Sequence, residues 1–474
     1  MRHGILSALV GFSLIAAAGC APVEVLPDEH RSAHFAATAA HLDLGGTMFL
    51  YTDISGDVDK LADFLAEIVA QIAAEEPQSG LGDVDVAALV GHLGLNGVQA
   101  VGLSSFHDGQ VFHNKGIIYH PGEKQGLMRL LGTEPRAFEI PDWAPADADL
   151  VFEQDYRFED AFQMLVAILR EAMGAEADRV LAELEQPIDN MSVSPRAIID
   201  QLDTRVVGLI RMHPDRMLQV PGEDFSFPHT EFLLGVDKLG FLFDDVIESF
   251  GGTPLVEVES GERFASIRSS QPMPGALSVY DPVLAKDTQT GRVYLASSPA
   301  LLDEIVAAAK PLGKTAAFAR ATRGLPQRGN GLTFMAAGFL TEITDWLGRL
   351  AERDAELAFM VDVIEAMLPA ADVPMASCTA AMADGLYFAS NATTSHKSTL
   401  LVLAYANPMI MAMFGATSWM FMAKRAPVAV DEAPATTPPH QPVPAEPAPP
   451  TRVRPAAPDA AAEPAGKGPG KGEK

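Results

Sequence analysis

Cysteine and basic side chains are scarce in this chain, and each scarcity excludes a class of protein. Two cysteines in 474 residues allow at most one disulfide, so a scaffold built on disulfides is excluded. Lys and Arg number 34 against 62 Asp and Glu, and a net charge of −28 repels a phosphate backbone. We therefore expect no nucleic-acid partner. Folding must depend on an apolar core, which a hydrophobic content of 48% can supply.

Sequence signatures of catalysis are missing as well. The chain contains no Gly-x-Ser-x-Gly elbow and no Ser-x-x-Lys. Gly313-Lys314-Thr315 ends like a phosphate-binding loop, but residue 308, where the first glycine would stand, is alanine. We therefore lean towards a protein that is not an enzyme and expect no cofactor.

The first twenty residues carry the clearest positive signal. Met1-Arg2-His3 is followed by a small and apolar run over residues 5–18 and then by Gly19-Cys20, which predicts a secretory signal peptide. The segment resembles the signal of bacterial lipoproteins, with Ala17 where that family prefers a larger aliphatic residue. The resemblance implies that a diacylglyceryl group is attached to Cys20 after cleavage. The alternative is cleavage after an Ala-x-Ala in the same run.

The C-terminal part of the chain contains a second candidate membrane segment. Residues 399–423 carry no charge and are followed by Lys424-Arg425. As a helix this run would be about 37 Å long, enough to cross a hydrocarbon core of about 30 Å. We expect it to span the membrane, and the alternative is a buried core helix. Residues 424–474 are rich in proline and alanine, which predicts a disordered tail on the cytoplasmic side.

Between these ends we expect a tether over residues 21–45 and an ectodomain that is duplicated. Three pairs of segments share an offset of about 180 residues: 46–53 with 231–237, 150–153 with 332–335, and 206–211 with 386–391. They predict two similar halves, residues 46–227 and 228–398.

Each predicted half contains strands, hairpins and amphipathic helices. Alternating residues around Asp108-Gly109 predict one hairpin, and Val58, Leu61, Phe64, Leu65, Ile68, Val69 and Ile72 form one helical stripe. The predicted fold class is α+β, each half being a mixed or antiparallel sheet covered by helices.

Carboxylates and histidines provide weak candidates for a metal site. Asp53, Asp57 and Asp59 could offer oxygen ligands, but a strand-to-helix turn capped by Ser55 explains them without a metal. His107 and His113 flank the predicted hairpin turn, and imidazoles paired across a turn can bind zinc or copper. Since nothing completes a ligand set, we expect no metal.

Two further groups of reactive side chains have ordinary explanations. The acidic cluster of Glu153, Asp155, Glu159 and Asp160 could support acid–base catalysis, although acids are also favoured at a helix start. Cys378 is expected to be a buried, inert thiol.

These observations predict a membrane-anchored lipoprotein of the bacterial cell envelope, with the inner membrane favoured. We expect a binding or interaction protein whose partners are membrane lipid, through Cys20 and residues 399–423, and an envelope protein. One alternative is a protein that holds a small molecule or lipid in a cleft between the two halves. A metal- or carboxylate-dependent hydrolase is the less favoured alternative.

Overall fold

The computed structural model describes residues 27–76, 82, 84–132, 134–188, 191–219, 226–271, 278–307, 309–352 and 372–398. Cys20, the uncharged run 399–423 and the tail 424–474 lie outside these ranges. In the part of the chain that the model describes, no helix is both long and apolar enough to cross a membrane.

The described chain is an α+β protein, as predicted. Its strands are β1 (Met48–Asp53), β2 (Ala100–His107), β3 (Phe112–Tyr119), β4 (Arg136–Ala137), β5 (Leu150–Arg157), β6 (Asp203–Gln219), β7 (Ser226–Val236), β8 (Val256–Ser260), β9 (Phe264–Ser269), β10 (Val283–Asp287), β11 (Val293–Ala296), β12 (Arg328–Gly329), β13 (Gly331–Met335), β14 (Met375–Met382) and β15 (Gly385–Ala392). Its α-helices are α1 (Phe35–Ala39), α2 (Asp57–Glu75), α3 (Val86–Leu93), α4 (Ile140–Trp143), α5 (Phe158–Met173), α6 (Ala175–Leu184), α7 (Pro195–Gln201), α8 (Gly240–Phe250), α9 (Pro299–Ala307), α10 (Ala316–Ala321) and α11 (Phe339–Ala351).

Within the described residues, one 13-stranded sheet joins almost all of these strands in the order β1-β2-β3-β15-β14-β13-β5-β6-β7-β11-β10-β9-β8. Neighbouring strands are antiparallel throughout. The short strands β4 and β12 pair with each other separately. Of the two predicted kinds of sheet, mixed or antiparallel, the described sheet is the antiparallel kind.

The predicted halves, 46–227 and 228–398, do not form separate sheets. Strands β13–β15 of the second half lie between β3 and β5 of the first, and the boundary between residues 227 and 228 falls within β7, which pairs with β6. The two halves are therefore interleaved. Short apolar strands resemble one another in sequence, so a shared offset could not reveal which strands pair.

The strand order is instead mirrored about the pair of β5 and β13. From one edge of the sheet the order is β1-β2-β3-β15-β14-β13. At the other edge β8 is the outermost strand, and from the strand next to it the order is β9-β10-β11-β7-β6-β5. Strands β5 and β13, which contain the 150–153 and 332–335 segments, occupy equivalent positions. The other two proposed pairs, β1 with β7 and β6 with β15, do not.

The sheet has an inner face that carries the largest cluster of buried apolar residues. Val151, Val207, Leu209 and Phe334 project from it and pack with residues of α4, α9 and α10. On the opposite, outer face, Phe243 of α8 packs with two strand residues, Ile267 and Val293. The inner face also carries the polar clusters described below.

The end of the predicted tether is folded onto the sheet. Thr38 of α1 and Leu42 are buried, and both approach Gly102 of β2 so closely that a Cβ there would collide with them. Residues 27–45 therefore belong to the folded domain.

Candidate functional site

The three aspartates proposed as cation ligands have local partners. Asp53 accepts hydrogen bonds from the Ser32 hydroxyl and from the backbone N–H of Ser55, the latter at 3.0 Å. The Ser32 bond is the main reason that the pKa of Asp53 lies below its ordinary value. Asp57 pairs with Lys60 at 2.8 Å, and Asp59 lies in the first turn of α2.

Helix α2 is not capped by Ser55. Gly56, with a φ of 72°, is the N-cap residue, and the Ser55 hydroxyl donates to Gln99 instead. No group of three or more potential metal ligands occurs among the described His, Cys, Asp and Glu side chains.

The candidate histidines His107 and His113 cannot bind the same metal ion. His107 is paired with Phe112 across the hairpin, and His113 is paired with Phe106. Because side chains alternate between the faces of a sheet, the two imidazoles lie on opposite sides of it. His120 is buried beneath Gly97.

The acidic cluster of Glu153, Asp155, Glu159 and Asp160 is split between two environments. Glu159 and Asp160 begin α5 and pair with arginines, at 2.9 Å to Arg196 and 3.1 Å to Arg129. Glu153 and Asp155 lie on β5 and are buried on the inner face.

Arg205 of β6 joins the two buried carboxylates. Its guanidinium contacts Glu153, binds Asp155 at 2.9 Å and donates to the Ala137 carbonyl oxygen at 3.0 Å. Glu153 also accepts the backbone N–H groups of Glu139 and Ile140, both at 2.8 Å.

Protonation in this network follows from burial and pairing. Burial raises the pKa of Glu153 above its ordinary value, against the lowering effect of the Ile140 N–H and Arg205. Burial also lowers the pKa of Arg205. The neighbouring carboxylates raise it, with the hydrogen bond to Asp155 contributing most, and the pKa of Arg205 lies above its ordinary value. This network joins β4, β5 and β6 as a structural element.

A second arginine on β6 is compensated in the same way. Arg211 binds Glu304 through two hydrogen bonds of 2.9 and 2.8 Å, and Glu231 at 2.7 Å. The bidentate geometry is the strong form of this ion pair.

His113 has a hydrogen-bond partner at each of its two ring nitrogens. Its Nδ1 lies 2.6 Å from Asn391 Oδ1 and its Nε2 lies 3.0 Å from Asp108 Oδ2. Asp108 also accepts a hydrogen bond of 2.5 Å from Arg323. This group, the His113 cluster, ties the β2–β3 hairpin to β15 and to the loop after α10.

The partners of His113 explain the orientation of the Asn391 amide. The Asn391 amide nitrogen donates to the carbonyl oxygens of Ala321 and Arg323, so its oxygen faces the imidazole. The hydrogen bond from His113 is the main reason that the pKa of Asp108 lies well below its ordinary value, so Asp108 is a carboxylate. Both ring nitrogens of His113 are therefore occupied by neighbouring side chains.

The stripe predicted for α2 occurs in the structure, but much of it faces solvent. Leu61, Phe64, Leu65 and Ile68 are 55%, 57%, 39% and 38% exposed, whereas Ala62 is buried. Helix α2 packs against α3, and among the described residues nothing covers this apolar face, which we call the α2 face.

Sequence reasoning did not identify Arg205, Arg323 or Asn391. Arg205 lies in an apolar run of β6 together with Val206, Val207 and Leu209. A lone arginine in such a run is a usable signal, because a buried charge needs a partner. Arg323 and Asn391 carry no signal of that kind.

The comparisons with known proteins found nothing similar: no family model, no curated protein and no solved structure matches the chain.

Proposed function

We propose that this chain is an exported lipoprotein of the bacterial cell envelope that binds another protein through the α2 face. Anchoring would occur through lipid at Cys20 and through residues 399–423, and the basic Lys424-Arg425 favours the inner membrane with a cytoplasmic tail. Helical spans belong to inner membranes, because outer membranes are spanned mainly by barrels.

The observation that carries the proposal is the exposure of Leu61, Phe64, Leu65 and Ile68 on one helix. Spaced at i, i+3, i+4 and i+7, these side chains form a continuous stripe, as in helices that dock into an apolar groove. Single exposed apolar residues need no explanation, but a contiguous set is typical of an interaction site.

Charge favours a protein over a lipid surface as the occupant. The polar positions of α2 include Asp57, Asp59, Asp63 and Glu67, against a single basic residue, Lys60. Helices that lie on membranes carry Lys and Arg there, and anionic lipids repel acidic ones. The expected partner therefore has an apolar groove with a basic rim.

The buried ion networks support binding over catalysis. Arg205 and Arg211 neutralise the carboxylates around them, and His113 has both nitrogens engaged. The alternative of a cleft between two separate halves is not favoured, because the halves share one sheet and β6 and β7 are hydrogen-bonded neighbours at the boundary near residue 227.

We also infer that the ectodomain arose by duplication, with copies that differ from the predicted halves. The mirrored order makes β1, β2, β3, β5, β6 and β7 the first copy and β9, β10, β11, β13, β14 and β15 the second.

Native gel electrophoresis of membranes solubilised in mild detergent tests the partner surface. We expect the wild-type chain to migrate in an assembly larger than its monomer, and Leu61→Ser/Phe64→Ser to migrate as the monomer. The control Glu176→Ser/Arg179→Ser, at an exposed ion pair of α6, should retain the assembly. A wild-type monomer, or an unchanged assembly with the serine variant, would contradict the proposal.

A further inference from the structure

A cavity of about 330 Å³ opens on the inner face beside the His113 cluster. The strand register explains its floor, since Phe106, His113 and Asn391 are cross-strand neighbours in one row. Lys115 and Ala389 form the next row. The chain around Arg323 and Leu325, together with Asp43, completes the wall. We call this cavity the inner pocket.

The lining of the inner pocket contains two basic side chains close together. Lys115 and Arg323 lie there with two carboxylates, Asp43 and Asp108. Lys115 pairs with Asp43 at 2.7 Å and Arg323 with Asp108 at 2.5 Å. The two cations therefore balance the two carboxylates of the pocket, in a protein whose net charge is −28.

Hydrogen-bond donors remain for a ligand after these pairs are formed. A lysine ammonium has three N–H donors and an arginine guanidinium has five. Lys115 and Arg323 each use one of them in the side-chain pairs above. Arg323 is 68% exposed, so it can turn towards a ligand without leaving a buried site.

Part of the lining is apolar. The Phe106 ring stacks on His113 with centroids 4.6 Å apart, and the side chains of Leu325 and Ala389 also line the pocket. Such a mixture of an apolar wall and a few convergent polar groups is typical of small-molecule sites.

We propose that the inner pocket binds a small organic anion, with its carboxylate or phosphate on Arg323 and Lys115 and its apolar body against Phe106 and Leu325. This site does not depend on the α2 face, so either proposal can fail without the other.

The test is a ligand-observed NMR titration of the detergent-purified full-length protein with phenylacetate, octanoate and phenyl phosphate. Phenylacetamide is the neutral counterpart of phenylacetate. We expect the anions to bind and phenylacetamide to bind at least about tenfold more weakly. Arg323→Gln should weaken anion binding by a similar factor. Arg170→Gln, at an exposed arginine outside the pocket, should leave it unchanged.

The choice of anion separates the two possible head groups. Tighter binding of phenyl phosphate than of phenylacetate assigns a phosphate ligand, and the reverse assigns a carboxylate. Equal binding of phenylacetate and phenylacetamide would overturn the proposal. So would equal binding by the Arg323→Gln and Arg170→Gln variants, or the absence of binding by all three anions up to millimolar concentration.

Discussion

Arg205 is the residue on which the central strands depend most. Its guanidinium compensates Glu153 and Asp155, both buried, and removal of one partner leaves uncompensated charge in the interior. We expect Arg205→Met to lower the free energy of unfolding by about 3–5 kcal/mol. Urea unfolding measures it, with Arg179→Met, at an exposed ion pair, as the control that changes it by less than about 1 kcal/mol. Equal effects of the two substitutions would contradict the buried network.

The pair of Asp108 and His113 predicts a dependence on pH. The pKa of Asp108 is lowered in the folded state, so its ionised form adds stability above the unfolded-state pKa of about 3.9. This contribution is lost as pH falls towards the folded-state pKa. We expect wild type to be more stable than Asp108→Asn at pH 5, and the difference to shrink below about pH 4. Urea unfolding at several pH values measures this, and a constant difference would contradict it.

Cys378 should be inert in the folded protein. Burial raises the pKa of this thiol to about 12, and its side chain is enclosed on the inner face. In a Cys20→Ala chain, we expect a thiol reagent to modify no cysteine under native conditions and one after unfolding in urea. Stoichiometric labelling of the native protein would show that this strand pair opens readily.

At the scale of elements, helix α2 contains both buried residues that stabilise the fold and exposed residues that a partner could contact. Leu61 and Phe64 are exposed, so Leu61→Ser/Phe64→Ser should change the free energy of unfolding by no more than about 0.5 kcal/mol per site. Ala62 is buried, and Ala62→Asp should be clearly destabilising. A large loss of stability in the serine variant would indicate that the α2 face packs within the protein. The comparison requires thermal or urea unfolding of both variants.

Elements with local signals could be predicted from the sequence. The turn at Asp108-Gly109 does join β2 to β3. Ser298-Pro299 is a sequence signal for a helix start, and α9 begins at Pro299, with the Ser298 hydroxyl accepting from the Leu301 N–H at 3.3 Å. Turn and cap chemistry depends on residues close together in the chain. The apolar pattern from Phe158 to Leu184 predicts one long helix, and this is only partly correct, because Gly174 divides it into α5 and α6.

Pairings between distant strands carried no such signal. The contact of β3 with β15, and that of β5 with β13, each joins segments far apart in sequence. Several apolar strands of similar length can exchange places without changing the hydrophobic pattern, so the pattern alone leaves the order open. For the same reason Asn391 could not be assigned to His113, although His113 itself was a sequence candidate.

At the scale of the whole molecule, interleaving makes the two predicted halves interdependent. Expressed alone, residues 46–227 would lose the partners of three strands, since β3 pairs with β15, β5 with β13 and β6 with β7. We expect this fragment to lack a cooperative unfolding transition, and co-expression with residues 228–398 to restore one. Exposed strand edges should also make the single fragment prone to aggregation. Circular dichroism during urea titration measures the transition, and cooperative unfolding of 46–227 alone would contradict the interleaved sheet.

Binding of a partner protein at the α2 face is tested most directly by photo-crosslinking in intact cells. Benzoylphenylalanine placed at residue 64 lies on the exposed apolar stripe, and the same group at residue 179 lies on an exposed position of α6. We predict a discrete product of higher mass from residue 64 upon irradiation, and little or none from residue 179. The absence of any product from residue 64 in an exported, folded protein would contradict the proposed function.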